Sequence, residues 1–119
     1  MGLNMIKEDY VSWETGKLMG ENGFDQDYPS AFYDYRIIDG VYIAPVPRPT
    51  LQTAMKWLRE EKGIAVIPVI SSVLDNEKFL WDVKIVVAKT NDTYSQGWVY
   101  EKQEDACERA VKYCLENLI

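Results

Sequence analysis

The chain has 119 residues, with 47% hydrophobic and 27% charged side chains and a formal net charge of −6. This length fits one domain that folds without disulfides or a metal, and the 13% aromatic content excludes a disordered chain. The acidic balance disfavours nucleic-acid phosphates as a partner. Without an apolar stretch of about 20 residues or a visible secretory signal, we expect a cytoplasmic protein that makes no membrane contact.

The first part of the single domain, residues 1–47, is predicted to be an acidic subregion, since it holds eight acidic and three basic residues. Ser12 is typical of the residue before a helix and Gly23 of a helix end, so a short helix is expected between them. Gly16 and Gly20 within this helix are spaced for close packing against a neighbouring element, or the spacing is incidental.

A β-hairpin is predicted to follow this helix. Asp39-Gly40 suits a type I′ turn and separates arms at 32–38 and 41–44. Prolines then occur at every second position, which predicts a stiff connector, because each proline fixes its φ angle and favours extended geometry in the residue before it. These prolines are Pro45, Pro47 and Pro49.

Residues 48–119 are predicted to form the core unit, in the order α-β-β-β-α. Apolar side chains recur at steps of three and four over 50–62 and over 102–118, which is the pattern of helices that bury one face. Gly63 favours a left-handed end for the first of these helices. The second helix has acidic residues in its first turn, where they favour the positive end of the helix dipole.

Three antiparallel strands are predicted between these helices, at 64–70, 79–88 and 97–100. The first is apolar on both faces, which indicates a covered strand, and Pro68 either restricts it to an edge or breaks it. The second alternates, and Asp82 is assigned to its wetter face. The predicted fold class is therefore α+β: a three-stranded antiparallel sheet packed by two main helices, with the N-terminal helix and hairpin attached.

The chain contains no histidine, which is the firmest constraint on its function. Nucleophiles activated by histidine are excluded, and so are zinc sites that need histidine. Cys107 and Cys114 lie on the apolar stripe of the last helix, about 10 Å apart along its axis, so they are predicted to be buried and unpaired thiols. We predict no catalytic residue, no cofactor and no metal site, and hence no enzyme.

Aromatic residues interleaved with aspartates in the N-terminal subregion are the remaining functional signal. Mixed tyrosine and acidic side chains on a hairpin are typical of a protein-contact surface. A small core under a loop is the competing interpretation of these tyrosines, and the tryptophan beside the stripe of helix 50–62 either closes the core edge or faces a partner. The candidate contact residues are Tyr28, Tyr33, Tyr35, Tyr42 and Trp57.

Two other functions are left open by the sequence. The α-β-β-β-α order is that of the double-stranded-RNA-binding module, although residues 101–105 are acidic overall where that module is basic. A small carboxylate-dependent enzyme would need two buried acids in one pocket. A nucleic-acid interface would use a basic patch formed by Lys56, Arg59, Lys62, Lys84 and Lys89.

Residues 10–15 (YVSWET), 23–25 (GFD), 50–60 (TLQTAMKWLRE) and 110–119 (AVKYCLENLI) carry a resemblance to known sequences. Together they resemble a group of small uncharacterised proteins found in genomes and prophages of Gram-negative gut anaerobes. In that group the last helix usually begins with DTYEEA, whereas residues 101–106 read EKQEDA here and lose the threonine cap. The resemblance implies a phage or mobile-element context and no particular activity.

The sequence therefore predicts a non-enzymatic accessory protein of a phage or mobile element that acts through protein–protein contacts. The reasons are the missing histidine and the acidic, tyrosine-rich N-terminal subregion. The oligomeric state is left open, because the edge strand implied by Pro68 could stay unpaired or pair with another copy.

Overall fold

The computed structural model describes residues 9–24 and 31–119. The described chain is a mixed α+β fold with two antiparallel sheets, one of two strands and one of three strands. Its elements, in chain order, are α1 (Trp13–Glu21), β1 (Ala31–Ile38), β2 (Val41–Pro49), α2 (Leu51–Lys62), β3 (Ile64–Val73), β4 (Phe79–Val87), β5 (Asp92–Ser95) and α3 (Gln103–Asn117). The predicted fold class is confirmed.

One hydrophobic core joins the three helices to the sheet of β3, β4 and β5. Trp57 and Leu58 of α2 and Val83 and Ile85 of β4 are almost completely buried in it. Helix α3 contributes its apolar stripe, which consists of Ala106, Cys107, Ala110, Val111, Cys114 and Leu115. The two main helices thus pack in one core with the sheet, as their sequence periodicity predicted.

Gly63 ends α2 as the sequence predicted, and Thr50, which was predicted as the first residue of the helix, is the cap before it. The Thr50 hydroxyl accepts a hydrogen bond from the backbone N–H of Thr53 at 3.2 Å, and Gly63 ends the helix in the left-handed region with φ 65°. Helix α3 differs, because the side chain of Lys102 before it makes no capping hydrogen bond. Two acidic residues in the first turn of α3 stabilise its start through the helix dipole instead.

Strand β3 is longer than predicted and less covered. Ile64 and Val66 are buried, but Ile67 and Ile70 are exposed. The prediction of a strand covered on both faces is therefore wrong beyond its first residues. The physical reason is that the helices cover only the part of the sheet next to the end of α2, and the rest of the β3–β4 hairpin extends past them.

Pro68 lies on a sheet edge, which was one of the two alternatives predicted for β3. Among the described strands, β3 pairs with β4 alone. The carbonyl oxygen of Gly63 accepts a hydrogen bond from the N–H of Ala88 at 2.9 Å, so the backbone groups of Gly63 point towards β4. The direction of these groups alternates from residue to residue, and the backbone nitrogen of Pro68, five residues later, therefore points away from β4. The proline therefore removes a donor from the free edge and none from the β3–β4 ladder.

The third strand of this sheet lies earlier in the chain than predicted. Strand β5, Asp92–Ser95, pairs with β4. Residues 97–100 do not form a strand, although Tyr100 makes a single bridge to Trp81 through backbone hydrogen bonds of 2.7 and 2.9 Å. The prediction of a strand at 97–100 is wrong because Gly97, with φ 69°, interrupts the extended backbone at the start of that segment.

Asp82 is buried, which corrects its assignment to the wetter face of β4. Its Oδ1 atom accepts hydrogen bonds from the backbone N–H groups of Val83 at 2.7 Å and Trp98 at 3.2 Å. The segment after β5 thus folds over this carboxylate and satisfies it. The alternation of side chains along β4 does not predict this burial, because the residues that cover Asp82 come from another segment of the chain.

The three alternating prolines lie in strand β2, so the prediction of a connector is wrong. The carbonyl oxygen of Pro49 accepts a hydrogen bond from the N–H of Val11 at 3.0 Å and therefore points away from β1. Pro47 lies two residues earlier in the strand and shares this direction. These prolines are tolerated in β2 because their missing N–H groups lie on the edge that does not pair with β1.

Helix α1 lies across this outer edge of β2. A Cβ atom on Gly16 would overlap the carbonyl oxygen of Pro47, and a Cβ atom on Gly20 would lie 3.2 Å from the Pro47 ring. The spacing of the two glycines therefore serves close packing, which was one of its two interpretations. Residues 9–11 also cover this edge, since the N–H of Val11 donates a hydrogen bond to the carbonyl oxygen of Pro49 in β2.

Candidate functional site

The β1–β2 hairpin carries a group of strongly exposed apolar side chains. Asp39 and Gly40 have positive φ angles of 52° and 76°, as a type I′ turn requires. This turn places Ile37 opposite Tyr42, and Tyr35 lies two residues before Ile37 on the same side of the strand. The three side chains are 65% (Tyr35), 72% (Ile37) and 61% (Tyr42) exposed, and we call them the tyrosine face.

Charged side chains hold the opposite face of the hairpin against the body of the protein. Asp34 forms ion pairs with Arg36 at 3.2 Å and with Arg48 at 3.0 Å. Arg48 also donates a hydrogen bond to the carbonyl oxygen of Val11, and the Arg36 guanidinium lies 4.9 Å from the centre of the Trp13 ring. The hydrogen bond from Arg36, supported by Arg48, holds the pKa of Asp34 below its ordinary value. The tyrosine face is therefore presented on a braced support.

The structure separates the four tyrosines that were predicted to contact a partner. Tyr35 and Tyr42 are exposed together on the tyrosine face. Tyr33 lies on the same side of β1 and is half-buried. Tyr28 lies outside the described residues. Ile37 was missed by the sequence analysis, although its alternation with Tyr35 along the strand was a readable signal for a shared face.

Trp57 is not available to a partner, so its prediction as a contact residue is wrong. Its side chain is 2% exposed, and its ring packs edge-on against Phe24 with the ring centres 5.7 Å apart. The Lys62 amine lies 5.5 Å from the centre of the same ring. The chain after α1 closes over this flank of α2, which the amphipathic pattern of α2 by itself does not reveal.

The hairpin carries no net charge although the chain is acidic. Residues 31–49 contain the acidic residues Asp34 and Asp39 and the basic residues Arg36 and Arg48. The formal charge of −6 therefore comes entirely from the rest of the chain. A molecule that approaches the tyrosine face meets a neutral, apolar centre on a protein that is otherwise negative.

A second exposed apolar group lies at the far end of the β3–β4 hairpin, which we call the β3–β4 end. Its members are Ile67, Ile70, Val73, Leu74 and Phe79. Val73 pairs with Phe79, and the Leu74 N–H donates to the Lys78 carbonyl oxygen at 2.8 Å to close the turn. This group was not predicted from the sequence, because the first strand was expected to end at residue 70.

Two acidic residues join elements of the fold. Asp82 binds the segment after β5, as described above. Glu108 of α3 accepts hydrogen bonds through Oε1 from the N–H of Ser12 at 3.0 Å and the hydroxyl of Thr15 at 2.7 Å, and so ties α3 to the start of α1. A concavity of about 390 Å³ along α2 is lined by residues of which none is acidic: Gln52, Thr53, Met55, Lys56 and Arg59.

The five basic residues considered for nucleic-acid binding are used in different ways. Lys56 and Arg59 line the concavity along α2, but Lys56 also lies 3.7 Å from Glu60 in an ion pair. Lys62 lies over the Trp57 ring. The remaining two, Lys84 and Lys89, are exposed and do not line this concavity.

Cys107 and Cys114 are buried and free, as predicted. Burial is the main cause that raises the pKa of Cys107 to about 11, with a smaller effect of Glu104, and burial raises the pKa of Cys114 to about 12. Both thiols are therefore protonated at neutral pH, and neither has the thiolate character of a nucleophile or a metal ligand.

Within residues 9–24 and 31–119, no three or more cysteine or carboxylate side chains gather in an arrangement that could hold a metal ion. In the same part of the chain, none of the helices has the length and apolar character needed to cross a membrane. Comparison of the chain with protein-family models, with curated proteins and with solved structures found no match. The geometry of the tyrosine face is thus the basis for a functional proposal.

Proposed function

We propose that the protein is a non-enzymatic binding protein that docks onto a partner protein through its tyrosine face. The observation that carries the proposal is that Tyr35, Ile37 and Tyr42 are each at least 61% exposed on a hairpin braced by ion pairs. Tyrosine is enriched at the energetically important centre of interfaces. A braced support also reduces the conformational entropy that binding would otherwise cost.

The partner that fits this surface is a protein with an apolar patch surrounded by basic residues. The aromatic rings and Ile37 require apolar cover, and the hydroxyl groups of Tyr35 and Tyr42 can donate to carbonyl oxygens at the edge of that patch. Lysine and arginine around the patch are attracted by the charge of −6, which lies outside the neutral hairpin. As part of the same proposal, the binding serves a phage or mobile element, which rests on the sequence resemblance alone.

The test is capture of a partner by the tagged protein from cells of its native source. The variant Tyr35→Ser with Tyr42→Ser removes both aromatic anchors, and we expect the affinity for the partner to fall by about tenfold or more, as the loss of central tyrosines does. The control variant, Ile70→Ser with Val73→Ser, removes similarly exposed apolar side chains from the β3–β4 end. It should capture the partner as the unchanged chain does.

Two further requirements define a true partner. Its capture must weaken as salt is added, because its basic rim faces an acidic protein. Circular dichroism must show that both double variants are folded. Equal capture by the tyrosine variant and the unchanged chain would contradict the proposal, and so would loss of the partner in the control variant alone.

A further inference from the structure

We propose that two copies of this chain pair through the outer edges of their β1 strands, antiparallel and centred on Tyr35. The product is a continuous four-stranded sheet built from two β1–β2 hairpins. The pairing uses backbone groups along the edge of β1, whereas the proposed docking uses side chains on the tyrosine face. The inference therefore stands independently of the proposed function.

The outer edge of β1 offers backbone groups to another strand. The two-residue turn makes Ile38 a hydrogen-bonded partner of Val41 in β2. The register shifts between Asp34 and Arg36, where two steps along β1 correspond to three along β2, so the extra residue lies in β2 and the direction of the backbone groups alternates without interruption along β1. Arg36 and Asp34 therefore point their N–H and C=O groups towards β2. Tyr35 and Ile37 point theirs away from β2, and β1 pairs with no other described strand.

The other long edges of the two described sheets are blocked. On β2, Pro47 and Pro49 direct their missing N–H groups to the outer edge, and α1 lies across it. On β3, Pro68 interrupts the row of donors. Strand β5 has only four residues. Strand β1 contains no proline, so it provides the one long described edge that can accept another strand.

The charges on β1 select one register for this pairing. When it is centred on Tyr35, Asp34 of each copy lies directly opposite Arg36 of the other copy. Adjacent registers that keep the backbone groups in phase are centred on Asp34 or on Arg36, and they place two like charges opposite each other, which is destabilising. Each Asp34 already pairs with Arg36 and Arg48 of its own chain, at 3.2 Å and 3.0 Å, so the two-fold arrangement produces a network of six charges.

The neutral hairpin also makes self-association compatible with an acidic protein. Two chains of charge −6 repel each other, but residues 31–49 contribute equal numbers of acidic and basic side chains. The β1 edges are therefore the part of the molecule where two copies can approach at low electrostatic cost. In the paired state, two tyrosine faces lie side by side on one surface of the four-stranded sheet.

Disulfide cross-linking reads the proposed register directly. The Cα atoms of the two copies of Tyr35 would lie about 5.5 Å apart, as in any hydrogen-bonded antiparallel pair, which is within disulfide reach. The variant Tyr35→Cys should therefore form a covalent dimer under mild oxidation. Cys107 and Cys114 are buried and do not interfere.

Ile37→Cys is the matched control for this cross-link. Ile37 is at least as exposed as Tyr35, at 72% against 65%. In the proposed register, however, its two copies lie about 14 Å apart, because four residues of about 3.4 Å separate them along the strand. We expect about tenfold less covalent dimer from this variant than from Tyr35→Cys, since disulfide partners must lie within about 7 Å.

The association itself is measured by sedimentation of the full chain over a range of concentrations. We expect a reversible dimer with a dissociation constant in roughly the micromolar range. Arg36→Asp places an aspartate opposite Asp34 in both cross-strand pairs and should shift the protein to the monomer. Arg36→Lys keeps the charge and should retain the dimer, which separates a register effect from damage to the hairpin.

The results that would overturn the pairing are definite. One is an unchanged chain that stays monomeric up to about 1 mM. Another is a dimer in which Ile37→Cys cross-links as well as Tyr35→Cys does. If the chain is a monomer that still captures a protein through Tyr42, the pairing is overturned and the proposed function stands. If the chain is a dimer that captures no partner, the pairing stands and the proposed function is overturned.

Discussion

At the scale of single residues, Cys107 and Cys114 show how burial decides chemistry. A sequence with two cysteines seven residues apart invites redox or metal functions, yet both thiols are buried on the apolar stripe of α3. Their pKa values are raised to about 11 and about 12, because the interior disfavours the thiolate. The same shift has a consequence for stability that can be measured.

The first prediction concerns the pH dependence of unfolding. Because both pKa values lie above the 9.0 of an exposed thiol, the unfolded chain releases these protons first as the pH rises. The stabilisation is complete below about pH 9 and declines towards pH 11 for Cys107 and pH 12 for Cys114, by up to about 1.4 kcal/mol per pH unit for each thiol. Urea unfolding at a series of alkaline pH values measures this decline.

The double variant Cys107→Ala with Cys114→Ala is the control, since it keeps every other titrating group. As the pH rises above about 9, its free energy of unfolding should fall less steeply than that of the unchanged chain. This comparison of slopes does not depend on how stable the variant is at neutral pH. Parallel pH profiles for the two proteins would show that the thiols are not protected by burial.

At the scale of elements, the contact between α1 and β2 depends on two glycines that are not equivalent. Gly16 faces the backbone of β2 at Pro47, where an added methyl group would overlap a carbonyl oxygen. Gly20 faces the ring of the same proline, at 3.2 Å from an added Cβ atom. A backbone atom in a strand cannot move aside cheaply, whereas a small adjustment relieves the second contact.

The second prediction compares alanine at these two positions. Gly16→Ala should lower the free energy of unfolding by roughly 1–3 kcal/mol, as overpacking does. Gly20→Ala should change it by less than about 1 kcal/mol, because the gain in helix propensity offsets the tighter contact. Equal effects in urea unfolding would mean that α1 does not lie on β2 as described.

At the scale of the whole molecule, the chain is more extended than a compact globule of its length. Its radius of gyration is 15.8 Å, whereas 119 residues in a compact domain give about 13–14 Å. The parts that extend are the turn end of the β1–β2 hairpin and the β3–β4 end, whose apolar side chains are exposed. Stability therefore depends on a core that is small compared with the length of the strands.

The third prediction tests whether stability depends mainly on this small core. Leu115→Ala removes a buried side chain from the centre of the core and should cost roughly 2–5 kcal/mol. Leu74→Ala makes the same chemical change at the exposed β3–β4 end and should cost less than about 1 kcal/mol. Thermal or urea unfolding of both variants measures the difference, and similar losses would place the β3–β4 end inside a core.

Local sequence patterns predicted much of the fold. The caps at Ser12 and Gly63 and the Asp39-Gly40 turn predicted where elements begin and end. These signals act between residues near each other in the chain, so the sequence contains all that they need. Helix α3 illustrates the same point, because its buried stripe follows from apolar spacing alone.

The errors arose where distant segments decide the outcome. Pro47 lies in a strand because its missing N–H faces α1 and not β1, and Asp82 is buried because the segment near Trp98 donates a hydrogen bond to it. Two of the three residues of the tyrosine face were likewise predicted, since Tyr35 and Tyr42 were named from the sequence. Trp57 was not, because its cover comes from Phe24.

The sequence by itself determined the fold class, the course of both main helices, the inert state of the thiols and the lack of histidine chemistry. Only the tertiary structure decided which strand edges are closed, which aromatic side chains remain exposed, and that the hairpin is neutral and braced. The physical reason is range. Propensity, capping and periodicity act over a few residues, whereas burial and edge pairing depend on which distant surfaces come together.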